Sequence, residues 1–130
     1  MQSWLLQDWV TIRAHNSGGA NITSIAQGSE SWLDIDDVED LTCFLDIREL
    51  TSPLIQTVFY ETSPTEQESS FRAMVSFTPA TGTRIDRLNS NVLGVPPARF
   101  VRWRLGSTSG TGDWDITFRI WLAAYAWVKP

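Results

Sequence analysis

The chain holds one histidine and one cysteine, and these bound the catalysis open to it. His15 lies in "RAHNSGG", which reads as a turn. A serine or cysteine nucleophile needs such a base within hydrogen-bond reach, and a third group to orient the base. The sequence has no G-x-S-x-G elbow, phosphate-binding glycine loop, dinucleotide fingerprint or H-E-x-x-H pair. Cys43 alternates with Leu41, Leu45 and Ile47, so an inert buried thiol is expected there. A lone cysteine also excludes an internal disulfide and a cysteine-based zinc site. These residues predict a protein that is not an enzyme and carries no cofactor.

Metal chemistry has one weak candidate. The run "LDIDDVEDL" (33–41) sets Asp34, Asp36 and Asp37 close together, with Glu39 and Asp40 following. Calcium favours several carboxylates in one loop. This loop lacks the turn glycine and closing glutamate of an EF-hand, and the leading expectation is a solvated bend without metal. Glu61, Glu66 and Glu68 read as a second solvated acidic loop, at a hairpin tip.

Binding chemistry is better supplied. Seven tryptophans are concentrated toward the chain ends, among them Trp4, Trp9, Trp121 and Trp127. In "TFRIWLAAYAWVKP" (117–130) a period of two puts Phe118, Ile120, Leu122 and Ala124 on one face, an ordinary core stripe. The other face carries Arg119, Trp121, Ala123, Tyr125 and Trp127, where polar residues would be expected. Such aromatics can pack in a core, bury against a partner or stack on a sugar ring. Trp4 and Trp9 are candidates to join that face, and Arg102, Arg104 and Arg119 to supply charge at its rim. Trp103 and Trp114, across the loop "GSTSGTG", are assigned to the core.

The elements that must position these residues are strands. "LTCFLDI" (41–47) alternates Leu41, Cys43, Leu45 and Ile47 with Thr42, Phe44 and Asp46. "RFVRWRL" (99–105) turns Val101, Trp103 and Leu105 inward and Arg102 and Arg104 outward. Segments 54–62 and 70–77 flank a polar loop and read as a hairpin. The opening "SWLLQDWVTIR" (3–13) is a long strand and "SWLDI" (31–35) a short one. No segment keeps a helical period over three turns. Seven to nine strands in 130 residues predict one domain, 1–130, an all-β, mostly antiparallel, jelly-roll-like sandwich with its first and last strands paired.

Charge excludes some partners. The formal net charge is −5, from 10 basic and 15 acidic residues, which argues against nucleic acid. No run of eighteen apolar residues is present, so no membrane span is expected, and the start has no signal-peptide pattern. Synthesis and residence in a cytosol is the expectation.

Three segments together carry a resemblance. "VFYETSPTEQESSF" (58–71) is a strand, a T-S-P step, a polar hairpin and a return strand opening on an aromatic. "PPARFVRWRL" (96–105) is an arginine-alternating strand, followed by "DWDITFRIWLAAYA" (113–126). With "WLDIDDVEDLTCFLDIREL" (32–50) before them, their order resembles small β-sandwich proteins in the virions of tailed phages and phage-like particles. The resemblance spans residues 31 to 126, and its motifs encode hairpin geometry rather than a site. It implies capsid decoration, a minor capsid role or a tail component. The implied location is the virion and the implied partners are copies of itself or other shell proteins. A carbohydrate-binding module using the same aromatics is the alternative.

Overall fold

A computed structural model describes residues 2–17, 24–35, 38, 40–89, 95–107 and 110–124. Nine strands are described: β1 (Gln2–Asn16), β2 (Ser24–Ala26), β3 (Leu33–Asp34), β4 (Asp40–Thr51), β5 (Gln56–Ser63), β6 (Arg72–Phe77), β7 (Gly82–Asn89), β8 (Phe100–Ser107) and β9 (Gly112–Ala124). They form two antiparallel sheets. The first, sheet A, has the order β1-β9-β4-β7, and the second, sheet B, the order β2-β8-β5-β6. The short β3 pairs with β8 beyond β2, so β2 and β3 act as two halves of one edge strand. Counted that way, eight strands wrap as a jelly roll, with the chain crossing between sheets at nearly every connection.

Alternation drives this arrangement. Leu41, Cys43, Leu45 and Ile47 of β4 are buried, as are Ile116, Phe118, Ile120 and Leu122 of β9. Tyr60, Val101, Trp103 and Leu105 meet them from sheet B. Trp103 packs edge-on against Phe118 at 5.1 Å between ring centroids. Trp114 is buried nearby, so both of these tryptophans are core residues, as expected. Burying each such side chain contributes about 1.5–3 kcal/mol. The first and last strands pair along nearly their whole length, from Gln2 against Ala124 to Asn16 against Gly112. The 54–62 and 70–77 segments form the expected hairpin β5–β6.

Some elements differ from expectation. His15 is not in a turn; it lies near the end of β1, with Nδ1 2.7 Å from Asp113 Oδ1. The strand β7 has no clean apolar alternation and instead covers the open side of β4 with charged residues. It begins at Gly82, whose φ of 117° is a conformation that side chains resist. Among the described residues, no helix is long and apolar enough to cross a membrane.

Candidate docking face

Each sheet turns one face to the core and one outward, and the two outward faces are treated differently by the chain. On sheet B, Arg102 of β8 and Glu61 of β5 stand opposite each other. Arg102 Nε donates to Glu61 Oε1 at 3.0 Å, and Arg104 Nε donates to Glu61 Oε2 at 3.0 Å. The side chains of Arg102 and Glu61 are 6% and 7% exposed, because other parts of the chain close over them. Phe71 stacks 4.0 Å from the Arg102 guanidinium and Trp32 lies at 5.4 Å, the two rings meeting edge-on at 4.6 Å. Trp32 is held by its indole N–H on the Gln27 carbonyl, at 2.8 Å.

This corrects three expectations. Glu61 is not part of a solvated tip; β5 runs on to Ser63, which leaves Glu61 inside the sheet. Arg102 and Arg104 do point away from the core, but on the opposite side of the sandwich from Trp121. They are neutralised within the domain and cannot rim the aromatic face. Arginine suits this task because its fork can serve a carboxylate through several N–H groups at once.

Among the described residues, none closes over the outward face of sheet A in this way. Cross-strand register places Leu5 of β1 beside Trp121 of β9, Trp121 beside Phe44 of β4, and Phe44 beside Ile85 of β7. These four apolar residues form one continuous row across every strand of the sheet. Leu5 is 41% exposed, Trp121 39% and Ile85 61%, with Phe44 half-buried between its neighbours. Single exposed apolar residues are ordinary, whereas a contiguous row of them marks a contact surface.

One row further along the strands the chemistry becomes ionic. Arg119 donates to Asp46 at 2.9 Å, and the Thr83 hydroxyl donates to the same carboxylate at 2.8 Å. The Arg119 hydrogen bond, then that of Thr83, holds the Asp46 carboxyl below the usual carboxylate range. Arg119 also sits between two indoles, 4.7 Å from the Trp9 ring centroid and 5.9 Å from that of Trp121. Arg48 also lies over the Trp9 ring, 4.2 Å from its centroid.

Two bulges interrupt β1 around Trp9 without moving it off this face. The pairing of β1 with β9 slips between Leu5 and Gln7 and again between Gln7 and Val10. Each slip shifts the alternation by one residue, and the two shifts cancel. The first is stitched from inside the sandwich: Gln27 Nε2 donates to the Leu6 carbonyl at 2.6 Å, and Trp103 Nε1 donates to Gln7 Oε1 at 3.0 Å. Bulges also suit β1 because it is an edge strand whose free side would otherwise invite pairing.

The expected site residues therefore divide. Trp121, Trp9 and Arg119 share one open face. Trp4 does not join them; it stands beside Leu122 and packs against the core between the sheets. Tyr125 and Trp127 lie outside the described residues, as do Asp36 and Asp37. Asp34, the remaining member of the calcium candidate, bonds Arg99 through its carboxylate at 3.0 Å. Among the described residues there is no group of three side chains able to hold a metal. Leu5, Phe44 and Ile85 were missed as site residues. Phe44 gave a signal, as an aromatic on the outward side of a cleanly alternating strand.

A cleft of about 420 Å³ opens at the far end of the same sheet, lined by Arg13, Ala14, Thr51, Asp113, Trp114 and Asp115. Its described lining includes no serine or cysteine to act as a nucleophile. Cys43 is remote from solvent, and burial pushes its thiol well above the usual range, with the nearby Asp86 charge adding to the effect.

No family model matches the chain, and no curated protein matches it. A solved structure from Bacillus endospore appendages, which form disulfide-linked pili, is similar at 16% identity and a TM-score of 0.40, covering 93% of this chain and 89% of that one. A likeness of that strength carries no argument about activity.

Proposed function

We propose that this protein is a non-catalytic structural subunit that docks into a larger assembly through the outward face of sheet A. The observation that carries the reading is the uninterrupted row Leu5–Trp121–Phe44–Ile85, exposed on a domain that covers the Arg102–Glu61 pair of its other outward face with Trp32 and Phe71. Large aromatics and arginines held in fixed geometry are what protein interfaces use as anchors. The finer form of the proposal is a virion component, either capsid decoration or a minor capsid or tail protein. It rests on the resemblance of residues 31 to 126 and on the use of jelly rolls in viral shells, a fold-level analogy.

The sugar-platform alternative has less support. Trp121 is flanked in its row by apolar neighbours; Arg119 and Asp46 in the row on one side are paired with each other, and the row on the other side offers only the Ser3 and Thr42 hydroxyls beside Ala123. A sugar site needs a few free polar groups beside its stacking ring. Density-gradient fractionation of lysate from the producing cells tests the proposal. The wild-type chain is expected in a particle fraction, and a folded Trp121→Asp chain is expected at the top of the gradient. Wild-type protein found only at the top, at the mass of a free chain, contradicts it.

A further inference from the structure

We infer that the partner of this face is a second copy of the chain, packed face to face about a two-fold axis parallel to the strands, above the gap between β9 and β4. The inference rests on the docking reading and adds the partner and the register. Two copies of one face can meet only about an axis lying in the plane between them, which makes the contact isologous. An axis parallel to the strands reverses the strand order and keeps each row opposite itself. The apolar row, read from β1 to β7, is aliphatic, aromatic, aromatic, aliphatic. Reversed on itself, it sets Trp121 against Phe44 of the second copy and Leu5 against Ile85.

The ionic row obeys the same operation. Arg119 of β9 comes to face Asp46 of β4 in the second copy, and Asp46 faces that copy's Arg119. Each chain already holds the two side by side at 2.9 Å, both partly exposed, at 32% and 25%. The two pairs then close into a ring of alternating charge. The other possible axis, running across the strands, swaps the rows on either side of the aromatics. It would set Arg119 against Ala123 and Asp46 against Thr42, so that each pair keeps its bond within the chain and gains no counter-charge across the interface. Charge complementarity therefore selects the strand-parallel axis. The pairs that matter most lie on the two central strands, where the twist between packed sheets displaces them least.

The available area is sufficient. Four strands at about 4.8 Å spacing and up to about 3.4 Å per residue present about 700 Å² of outward face, near the 800 Å² per partner that a stable contact buries.

The test is the solution mass of the purified full chain and of paired variants, with circular dichroism confirming that each is folded. Wild type at high micromolar concentration is expected at twice the 14.7 kDa chain mass. Arg119→Glu alone and Asp46→Lys alone are each expected to halve it, because like charges then meet across the axis. An equimolar mixture of the two is expected to regain the doubled mass as a heterodimer. In it the two substituted positions face each other with opposite charges, while the untouched pair is kept. Leu5→Glu and Ile85→Lys, both at exposed positions, repeat the design without touching the ion pair. A monomeric wild type overturns the second copy as partner, and leaves the docking reading to the gradient experiment. A dimer that survives the single swaps, or folded variants that stay monomeric when mixed, overturns the register.

Discussion

Removing the carboxylate of Glu61 is expected to be among the most damaging single changes on the surface of either sheet. Glu61→Ala leaves Arg102 with its side chain 6% exposed, its Nε and Nη2 donors stripped of their acceptor, and Phe71 and Trp32 still closed above it. The nearest other carboxylate, Glu68, stands 3.8 Å from Arg102 and is itself largely solvated. Breaking a buried ion pair from one side costs about 3–5 kcal/mol, since a charge remains without compensation. Against a total stability of about 5–15 kcal/mol this is a large share. The melting temperature should fall by about 10–20 °C, at about 3–5 °C per kcal/mol for a domain of this size. Urea unfolding of Glu61→Ala, Arg102→Met and the double variant measures it. The double variant should recover part of the loss: it removes the uncompensated buried charge of Arg102, while Arg104, 23% exposed, still loses its bond to Glu61. A loss below about 0.5 kcal/mol for Glu61→Ala is the behaviour of a solvated loop residue, and would refute the reasoning.

Other expectations concern the core and the charges. Phe118→Ala empties a buried position under Trp103 and should cost about 3–5 kcal/mol in urea unfolding. Asp46 and Asp40 have carboxyl pKa values held down, chiefly by hydrogen bonds from Arg119 and Arg87 respectively. Their contribution is therefore fully present above the unfolded carboxylate value of about 3.9, and is lost as pH falls through the lower folded values. The stability advantage of wild type over Asp46→Asn should accordingly hold from pH 7 to about pH 4 and shrink below it. Cys43 should resist an aromatic disulfide reagent in the native state and react on unfolding, with the absorbance of the released thiolate as readout.

How much of this was legible in the sequence depends on how local each feature is. The faces of β4 and β9 could be read from alternation, because strand period is set by the backbone alone. The β5–β6 hairpin followed from two strand-like runs flanking a polar loop, and the pairing of β1 with β9 from the expected jelly-roll architecture. Glu61 was misread because Glu66 and Glu68 suggested one acidic loop, although the strand reading of 54–62 already contained it; that its carboxylate meets Arg102 and Arg104 depends on pairing with β8, about forty residues away. Arg102 and Arg104 were placed on the correct side of their strand. What alternation cannot tell is which sheet that strand joins, or that Trp32 and Phe71 fold over it. Trp4 and Trp9, five residues apart, fall on opposite faces as plain alternation already required, since the two bulges cancel. The Leu5–Trp121–Phe44–Ile85 row draws one residue from each of four strands, so only the register reveals it.

The claim that the outward face of sheet A is a docking surface is tested most directly by hydroxyl-radical footprinting of the protein, dilute and assembled. Leu5, Trp121 and Ile85 should be labelled in the dilute chain and protected on assembly, whether the partner is a second copy or another protein. Leu54, 85% exposed and outside the row, serves as the internal control and should label equally in both states. Equal labelling of Leu5, Trp121 and Ile85 in the two states would contradict the account.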